Sequence, residues 1–267
     1  VQVENTGACP RFCGVSIDGV TIGPSPEWLR KRLESIGLSP INNVVDVTNF
    51  ICHELGQPMH AYDAGRLAGN RIVVKTLPEG TPFVTLDKTE RKLSAQDLMI
   101  CDGEKPVGIA GVMGGLHSGI TEATTRVFLE VAHFSPDWIR RTGMRHGLKT
   151  DASFRFERGT DPNLKPYMLQ RAALLIQEVA GGQIVSAVTD VYPNPIPNFE
   201  FSATYKNINR LIGKELDKAY IKQTLAALDI AVSDETDAGF RVSVPPYRVD
   251  VQREVDIVEE VLRIYGI

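Results

Sequence analysis

The most regular hydrophobic pattern in the chain lies between residues 42 and 63. Apolar side chains recur there at helical spacing, at Val44, Val45, Val47, Phe50, Ile51 and Leu55. One face of this predicted helix should therefore be core, and Gly56 suits the left-handed conformation that ends many helices. Gln57 and Pro58 then turn the chain, and His60 is expected in extended or loop geometry. His60 is either a reactive group on a rigid support or a hydrogen-bonded core histidine, and the pattern leaves both open.

Other segments predict a mixture of strands and helices. Strands are expected where β-branched and aromatic residues lie between turn residues, in RIVVKT, TPFVTL, LMICD, KPVGIAGVM, RVFLEVAHF and QIVSAVTDVY. Helices are expected from Ser25 to Gly37, from Ser135, and from Asp161 to about Gly181, because Ser-Pro and Asp-Pro favour helix starts. Helices and strands do not alternate regularly, so the predicted class is α+β rather than a doubly wound sheet.

The proline-rich segment PNPIP at residues 193–197 is the expected domain boundary. Alternating prolines favour an extended, semi-rigid linker. We predict a β-rich domain with flanking helices over residues 1–193 and a small module over residues 194–267. The module is predicted as strand, two short helices, hairpin and helix, which is similar to a winged helix. The chain begins with Val1 and stops at Ile267 after an apolar, acidic run, so both ends are expected to lie inside a longer protein.

Composition narrows the class of protein. The 267 residues are 43% hydrophobic and 23% charged, as in a soluble globular protein, and no apolar run approaches the length of a membrane span. The four cysteines form no Cys-x-x-Cys pair, which favours a reducing, cytoplasmic compartment over a disulfide framework or structural zinc. A net charge of −4 argues against a general polyanion binder, although a local nucleic-acid contact stays open.

Two segments could line a binding site. The glycine-rich residues 108–119 lack the spacing of a nucleotide phosphate loop, and their glycines either let backbone approach a ligand or form β-bulges and turns. Glu130 lies in an apolar strand, on the face shared by Phe128 and Ala132. A buried carboxylate is costly unless it is paired. Glu130 is therefore either an edge residue in solvent or a polar group in a pocket, and the apolar strand favours the pocket.

Charged clusters occur in two further places. Residues 149–162 contain an expected ion-pair lattice, formed by Asp151, Arg155, Glu157 and Arg158. The most basic part of the chain is formed by Arg140, Arg141, Arg145, Lys149, Arg155 and Arg158. This surface is either an RNA-backbone contact or an ordinary solvated face.

The last predicted helix carries Asp256, Glu259 and Glu260 on one face, with Asp250 before it. Clustered carboxylates suit Mg²⁺. Negative charge also suits a helix N-terminus, and the spacing alone favours this second, structural interpretation.

Taken in order, five segments resemble the β-subunit family of bacterial phenylalanyl-tRNA synthetases: SPEWLRKRLESIGLSPINNVVDVTNFICHELGQPMHAYD, VGIAGVMGG, FLEVAHFSP, TDASFRFERGTDP and VPPYRVDVQREVDIVEEVLRIYG. The resemblance covers essentially the whole chain. It implies an editing domain that hydrolyses mischarged tyrosyl-tRNA(Phe), followed by a winged-helix-like module. It also implies the tRNA(Phe) 3′ end and an α subunit as partners in an αβ heterotetramer, with aminoacylation and ATP use assigned to the α subunit rather than to this chain.

The same resemblance implies roles for individual residues. Glu130 would accept a hydrogen bond from the hydroxyl of the tyrosine substrate. Gly114 and Gly115 would lie in the pocket wall, and Ala152 would lie where a larger side chain would block the pocket. Groups around the ester and the attacking water would be His60, Thr48 and Asn49. Ligands of a magnesium ion shared with the α subunit would be Asp250, Asp256, Glu259 and Glu260. Phe154 and Lys149 depart from the family, whose members often carry histidine there. Competing hypotheses are a non-catalytic scaffold of the heterotetramer and an independent nucleic-acid-binding winged helix.

Overall fold

The structure, a computed structural model, describes residues 1–266. These residues divide into two compact units, of which the first is Val1–Pro195 and the second begins at Ile196. Both units mix helices with β-sheets, so the α+β class predicted from the sequence is confirmed. Within the described part of the chain, no helix combines the length and apolar character needed to cross a membrane.

The central sheet of the first unit is built around two long antiparallel strands. Its members are β2 Arg11–Asp18, β3 His60–Asp63, β10 Arg126–His133, β11 Gln183–Ile184 and β12 Thr189–Val191. Their order is β11-β2-β10-β3, with β12 also paired to β2. The sequence patterns do not predict β2, because Gly14 interrupts its apolar run. Glycine at this position makes room for the ring of Phe128 on β10, which an added Cβ would overlap.

A second sheet of the first unit faces the central one. Its strands are β1 Gln2–Val3, β4 Val73–Thr76, β7 Leu98–Cys101, β8 Pro106–Ile109 and β9 Met113–Gly114, in the order β1-β4-β7-β8-β9. A separate hairpin consists of β5 Pro82–Val84 and β6 Glu90–Lys92. The predicted strand KPVGIAGVM is confirmed over β8 and then turns back into β9, with Gly111 in the turn at a φ of 66°.

The helices of the first unit are α1 Glu27–Glu34, α2 Asn43–Leu55, α3 Pro136–His146, α4 Asp151–Phe156 and α5 Lys165–Ala180. The predicted helix that ends at Gly56 is confirmed as α2. The Asn42 side chain accepts hydrogen bonds at its start, and Gly56 adopts the left-handed conformation at its end.

The helix start predicted at Ser25-Pro26-Glu27 is confirmed, since α1 begins at Glu27, but neither Ser25 nor Asp161 caps a helix, because their side chains bond elsewhere. The Ser25 hydroxyl donates to Asp46 at 2.5 Å, so α1 begins without a side-chain cap and also ends before Gly37. Asp161 accepts from the backbone N–H of Asn163 at 2.7 Å, and α5 begins further along the chain. Helix α4, inside the charged segment, is not predicted by the sequence patterns.

The central sheet separates two hydrophobic cores. On one face, β10 packs against α2 and α5 through Val127, Leu129 and Val131. On the other face, Ala132 and the ring of Phe128 join a core shared with the second sheet. This alternation is the predicted one. Glu130 lies on the second face, so its side chain enters the space between the two sheets.

The second unit has the predicted order of elements. It consists of β13 Phe199–Thr204, α6 Tyr205–Ile212, α7 Lys218–Ala227, β14 Ala231–Ser233, β15 Gly239–Val244 and α8 Glu254–Tyr265. The strands form an antiparallel sheet in the order β13-β15-β14. Local signals place its helices, because the Asp217 carboxylate caps α7 and Gly213 ends α6 in the left-handed conformation.

A buried lysine in the first unit predicts how stability depends on pH. Lys165 is 0% exposed, and its ammonium donates to Gln57 and to Thr160. Burial lowers the pKa of Lys165 to about 7, whereas an unfolded lysine titrates near ~10.4. Between these two pKa values the Lys165 amine is protonated in the unfolded chain but not in the folded one. Lys165 should therefore make the free energy of unfolding rise as the pH rises through this interval.

Lys165→Met is expected to remove that contribution to the pH slope. Denaturant unfolding at several pH values across the interval measures it, with the exposed Lys88→Met as the matched control. A variant at residue 165 that keeps the wild-type slope would contradict the assignment.

Candidate functional site

A pocket lies where β3 and β10 face the β8–β9 turn and helix α4. Most of its wall is apolar or backbone, with Phe134, Phe156, Ala152 and the glycines of the β8–β9 turn among the lining residues. Polar side chains enter it from two adjacent strands, at His60, Tyr62 and Glu130. A pocket with apolar side chains, exposed backbone and a few polar side chains is typical of a small-molecule or side-chain binding site.

Strand register brings the polar residues together. His60 pairs directly with Glu130, and Tyr62 pairs with Phe128, in the antiparallel β3–β10 ladder. These side chains consequently share one face of the sheet. Glu130 is 5% exposed and lines the pocket, so it is the pocket residue rather than the solvent-facing edge residue of the two sequence alternatives.

Glu130 is held by a tyrosine of the protein itself. The Tyr62 hydroxyl donates to Oε2 of Glu130 at 2.7 Å. Oε1 of Glu130 accepts no hydrogen bond from the residues that the structure describes. Burial raises the pKa of Glu130 to about 7, while the hydrogen bond from Tyr62 acts in the opposite direction. The pocket therefore contains a carboxyl group with one oxygen available to a ligand.

His60 is packed tightly against the glycine turn. Its ring lies edge-on to Tyr62, with ring centroids 4.4 Å apart. A Cβ on Gly114 would come within 2.9 Å of His60 Cε1, so glycine permits this close approach. Burial lowers the pKa of His60 to about 4, and its Nε2 is buried without a hydrogen-bond partner in the described part of the chain. His60 is thus a neutral imidazole whose Nε2 makes no hydrogen bond among the described residues.

The glycine-rich segment contains the turn expected by one of its two sequence interpretations, and close approach to a ligand stays a prediction. It forms the β8–β9 turn, and its glycines also let the backbone approach the pocket wall. At Gly111, a Cβ would lie 2.8 Å from Ile139 Cδ1 and 2.9 Å from Phe134 Cδ2. Gly108 and Gly114, which pair across the turn, both line the pocket.

Helix α4 forms another side of the pocket. Thr150 and Ser153 cap its start reciprocally, and the Thr150 hydroxyl also donates to the Val112 carbonyl at 2.8 Å. That bond ties α4 to the β8–β9 turn. Ala152 and Phe156 consequently face the pocket.

Comparison with known proteins decides the family. The B3/4 domain matches residues 8–181, and the tRNA synthetase B5 domain matches residues 201–267. The phenylalanine–tRNA ligase beta subunits of Bacteroides thetaiotaomicron and Porphyromonas gingivalis are 56% and 52% identical, each over 100% of this chain. The chain belongs to the phenylalanine–tRNA ligase β-subunit family. The sequence resemblance is thereby confirmed.

The chain spans about a third of these relatives, 32% of the length of each. A solved N-terminal fragment of the phenylalanyl-tRNA synthetase beta subunit from Pyrococcus horikoshii aligns with 99% of this chain and 74% of that fragment. Its identity is 15% and its TM-score 0.43.

Some residues implied by the β-subunit family lie outside the pocket. Thr48 and Asn49 are on α2 and are not among its lining residues. The Thr48 hydroxyl donates to the Val45 carbonyl at 2.7 Å. Gly115 also faces away, since a Cβ there would meet Phe83 Cζ at 2.9 Å and the Val107 carbonyl at 2.7 Å. The pocket therefore contains four of the family's implied residues, namely His60, Gly114, Glu130 and Ala152.

The acidic residues implied as magnesium ligands are used by the fold of the second unit. Asp256 accepts from the backbone N–H groups of Gln252 and Arg253 at 3.0 and 2.8 Å. Glu260 pairs with Arg263 at 2.7 Å and Arg248 at 3.3 Å. Asp250 and Glu259 are exposed. Among residues 1–266, no group of three or more His, Cys, Asp or Glu side chains could hold a metal ion, so these side chains do not form a metal site by themselves.

The basic region is partly neutralised by local ion pairs. Arg155 lies 3.5 Å from Asp151 and Arg158 lies 2.6 Å from Glu157, so these four residues form two separate pairs rather than the predicted lattice. Arg158 also stacks over the half-exposed ring of Phe154, 3.6 Å from its centroid. An RNA contact and a solvated face both stay open here.

Tyr62 is a pocket residue that the sequence patterns do not indicate. A usable signal was present, because His60 and Tyr62 are two residues apart and an extended segment places such residues on one face. The partner strand, however, could not be inferred from the HAYD segment alone.

Proposed function

We propose that the pocket is an editing site that binds the tyrosine side chain of tyrosyl-tRNA(Phe) and hydrolyses its ester bond. The observation that supports this most is the buried Glu130 carboxyl group with one unbonded oxygen in an otherwise apolar, aromatic-walled pocket. A phenol entering the pocket would donate its hydroxyl proton to that oxygen. A phenylalanine side chain would leave the oxygen buried and unpaired, at a cost of about 1–3 kcal/mol or more.

A synthetase for phenylalanine needs such a second site for a physical reason. A hydrophobic pocket rejects an isostere with one added hydroxyl by only about a hundredfold. A site with a polar group placed for that hydroxyl discriminates much more strongly, because the analogue without it leaves the polar group unpaired.

The proposed chemistry is attack of a positioned water on the ester carbonyl. The water oxygen bonds to the carbonyl carbon, the bond to the ribose oxygen breaks, and the released proton goes to that leaving oxygen. His60 would hold the water, since a neutral imidazole with a pKa of about 4 is a weak base but a good hydrogen-bonding group. Backbone N–H groups would stabilise the oxyanion, and Thr48 and Asn49 stay predicted contacts to the ester.

The relatives' shared name supports a wider proposal for the whole protein. We propose that this chain is part of a cytoplasmic phenylalanine–tRNA ligase in which an α subunit uses ATP and Mg²⁺ to charge tRNA(Phe) in an αβ heterotetramer. In that assembly the first unit would meet the tRNA 3′ end. The four acidic residues of the second unit stay predicted contributors to a magnesium site shared with the α subunit.

A direct assay tests the editing proposal. The complete synthetase containing this chain, with its aminoacylation site blocked by an inhibitor, is incubated with tyrosyl-tRNA(Phe) and phenylalanyl-tRNA(Phe). Release of tyrosine well above the uncatalysed rate, and faster than release of phenylalanine, is expected. Tyrosine release at the uncatalysed rate would favour the non-catalytic scaffold.

His60→Ala is expected to slow ester hydrolysis roughly tenfold or more while changing the tyrosine preference little, because His60 is assigned to the water and not to the hydroxyl. Single-turnover hydrolysis of both esters measures it. The exposed His117→Ala serves as the matched control. Unchanged rates in the His60 variant would remove this residue from the site.

A further inference from the structure

The Tyr62–Glu130 hydrogen bond connects two side chains that project into the pocket from neighbouring strands. Tyr62 pairs with Phe128, two residues before Glu130, and a long side chain reaches a diagonal neighbour across an antiparallel ladder. The Tyr62 hydroxyl packs over Gly108, where an added Cβ would lie 3.7 Å away. Because Tyr62 is 2% exposed, surrounding contacts fix its ring in this position.

This hydrogen bond occupies Oε2 of Glu130 and leaves Oε1 without a hydrogen bond among the described residues. The terminal torsion of a glutamate side chain is broad and roughly two-fold, so an unrestrained carboxylate would not present a fixed acceptor. With Oε2 held at 2.7 Å by Tyr62, the direction of Oε1 is set as well. A phenol has a single proton to donate, so Tyr62 cannot donate to a ligand while it holds Glu130.

We propose that Tyr62 is a positioning residue for substrate specificity: it anchors Oε2 of Glu130 and thereby aims Oε1 at the hydroxyl of the bound tyrosine. This inference rests on the proposed editing function. The Tyr62 hydroxyl donates the first hydrogen bond to the Glu130 carboxylate, and the hydroxyl of the substrate would donate the second. Its hydrogen bond also favours the ionised carboxylate, which can only accept a proton and therefore distinguishes a hydroxyl donor from a bare ring.

The other titratable groups facing Glu130 stay uncharged near neutral pH. They are His60 and Tyr62 from β3 and Cys9 from the segment before β2. Burial lowers the pKa of His60 to about 4 and raises the pKa values of Tyr62 and Cys9. A pH profile of the tyrosine preference near neutrality should therefore report on the Glu130 carboxyl group.

Tyr62→Phe tests the proposal, because it removes the hydroxyl and keeps the ring. In the complete synthetase, hydrolysis of tyrosyl- and phenylalanyl-tRNA(Phe) is measured from about pH 6 to about pH 8.5. We expect the tyrosyl preference to fall about three- to tenfold near pH 7. We also expect the midpoint of its pH dependence to move upward, because Glu130 loses a hydrogen bond that favours its ionised form.

Tyr205→Phe is the matched control, since Tyr205 donates to Glu235 at 2.9 Å in the second unit. This variant should leave both the preference and the midpoint unchanged. A thermal melt of each variant checks that the fold is retained.

The results separate the two proposals. A folded Tyr62→Phe protein with the wild-type preference and midpoint would overturn the role of Tyr62 and leave the editing function standing. A wild-type enzyme with no preference for the tyrosyl ester would overturn both. A purely structural role for Tyr62 would lower the melting temperature without moving the pH midpoint, and that result would also overturn the positioning role.

Discussion

Glu130→Ala is expected to lower the preference for tyrosyl over phenylalanyl ester about ten- to a hundredfold, and to slow hydrolysis of the phenylalanyl ester much less. A hydrogen bond to a charged partner contributes about 1.5–3 kcal/mol, and each ~1.4 kcal/mol is a factor of ten. Only the tyrosyl substrate has the hydroxyl to make that bond. The large effect follows from burial, because no bulk water replaces the lost acceptor at a residue that is 5% exposed.

Both esters should be assayed side by side, above pH 7, where the carboxylate is ionised and can accept the hydroxyl proton. Glu130→Gln keeps the shape of the side chain and one acceptor oxygen, so an intermediate loss is expected. Glu235→Ala removes the other glutamate that accepts from a tyrosine and should change nothing. Equal losses on the two esters would instead make Glu130 part of the hydrolytic machinery.

Ala152→Trp is expected to abolish tyrosine binding and editing without unfolding the protein. Ala152 lies in α4, is only partly buried, and lines the pocket. An indole in place of its methyl group would occupy the space that a substrate ring needs. Overpacking a well-packed core costs about 1–3 kcal/mol, and a partly exposed position at the pocket should cost less.

Titration calorimetry with free tyrosine, hydrolysis of tyrosyl-tRNA(Phe) and a thermal melt together check this prediction. Ala152→Ser, which is nearly the same size, should keep binding and hydrolysis. Tyrosine binding that survives in the tryptophan variant would show that the substrate lies elsewhere. A variant that melts far below the wild type would show that Ala152 is a core residue.

Local sequence signals predicted the elements that depend on local interactions. Helix α2 combines an apolar stripe with Asn42 at its start and Gly56 at its end, and all three signals lie within the helix and its caps. The order of elements in the second unit was predicted for the same reason. Ser25 does not cap α1 as expected, because its hydroxyl bonds to Asp46, twenty-one residues away, and no local pattern reports such a contact.

The site residues likewise divide into those that the sequence indicated and those that depend on contacts between distant segments. The period of two along β10 placed Glu130 on the face opposite Val127, Leu129 and Val131, and the structure has it there. The family resemblance indicated His60, Gly114 and Ala152, and these residues do line one pocket with Glu130. It also indicated Gly115, which follows Gly114 in the chain. A side chain at Gly115 would point toward Phe83 and the Val107 carbonyl instead of into the pocket.

By itself, the sequence determined the α+β class, the helix that leads to His60, the apolar strand around Glu130 and the family, because periodicity, capping and motif order are properties of the chain. Only the tertiary structure decided that Tyr62 holds Glu130 and that His60 Nε2 is left without a partner among the described residues. These facts depend on strand register and on contacts between distant segments. Burial then shifts the pKa values of Glu130 and His60 in opposite directions, because it disfavours whichever form carries charge.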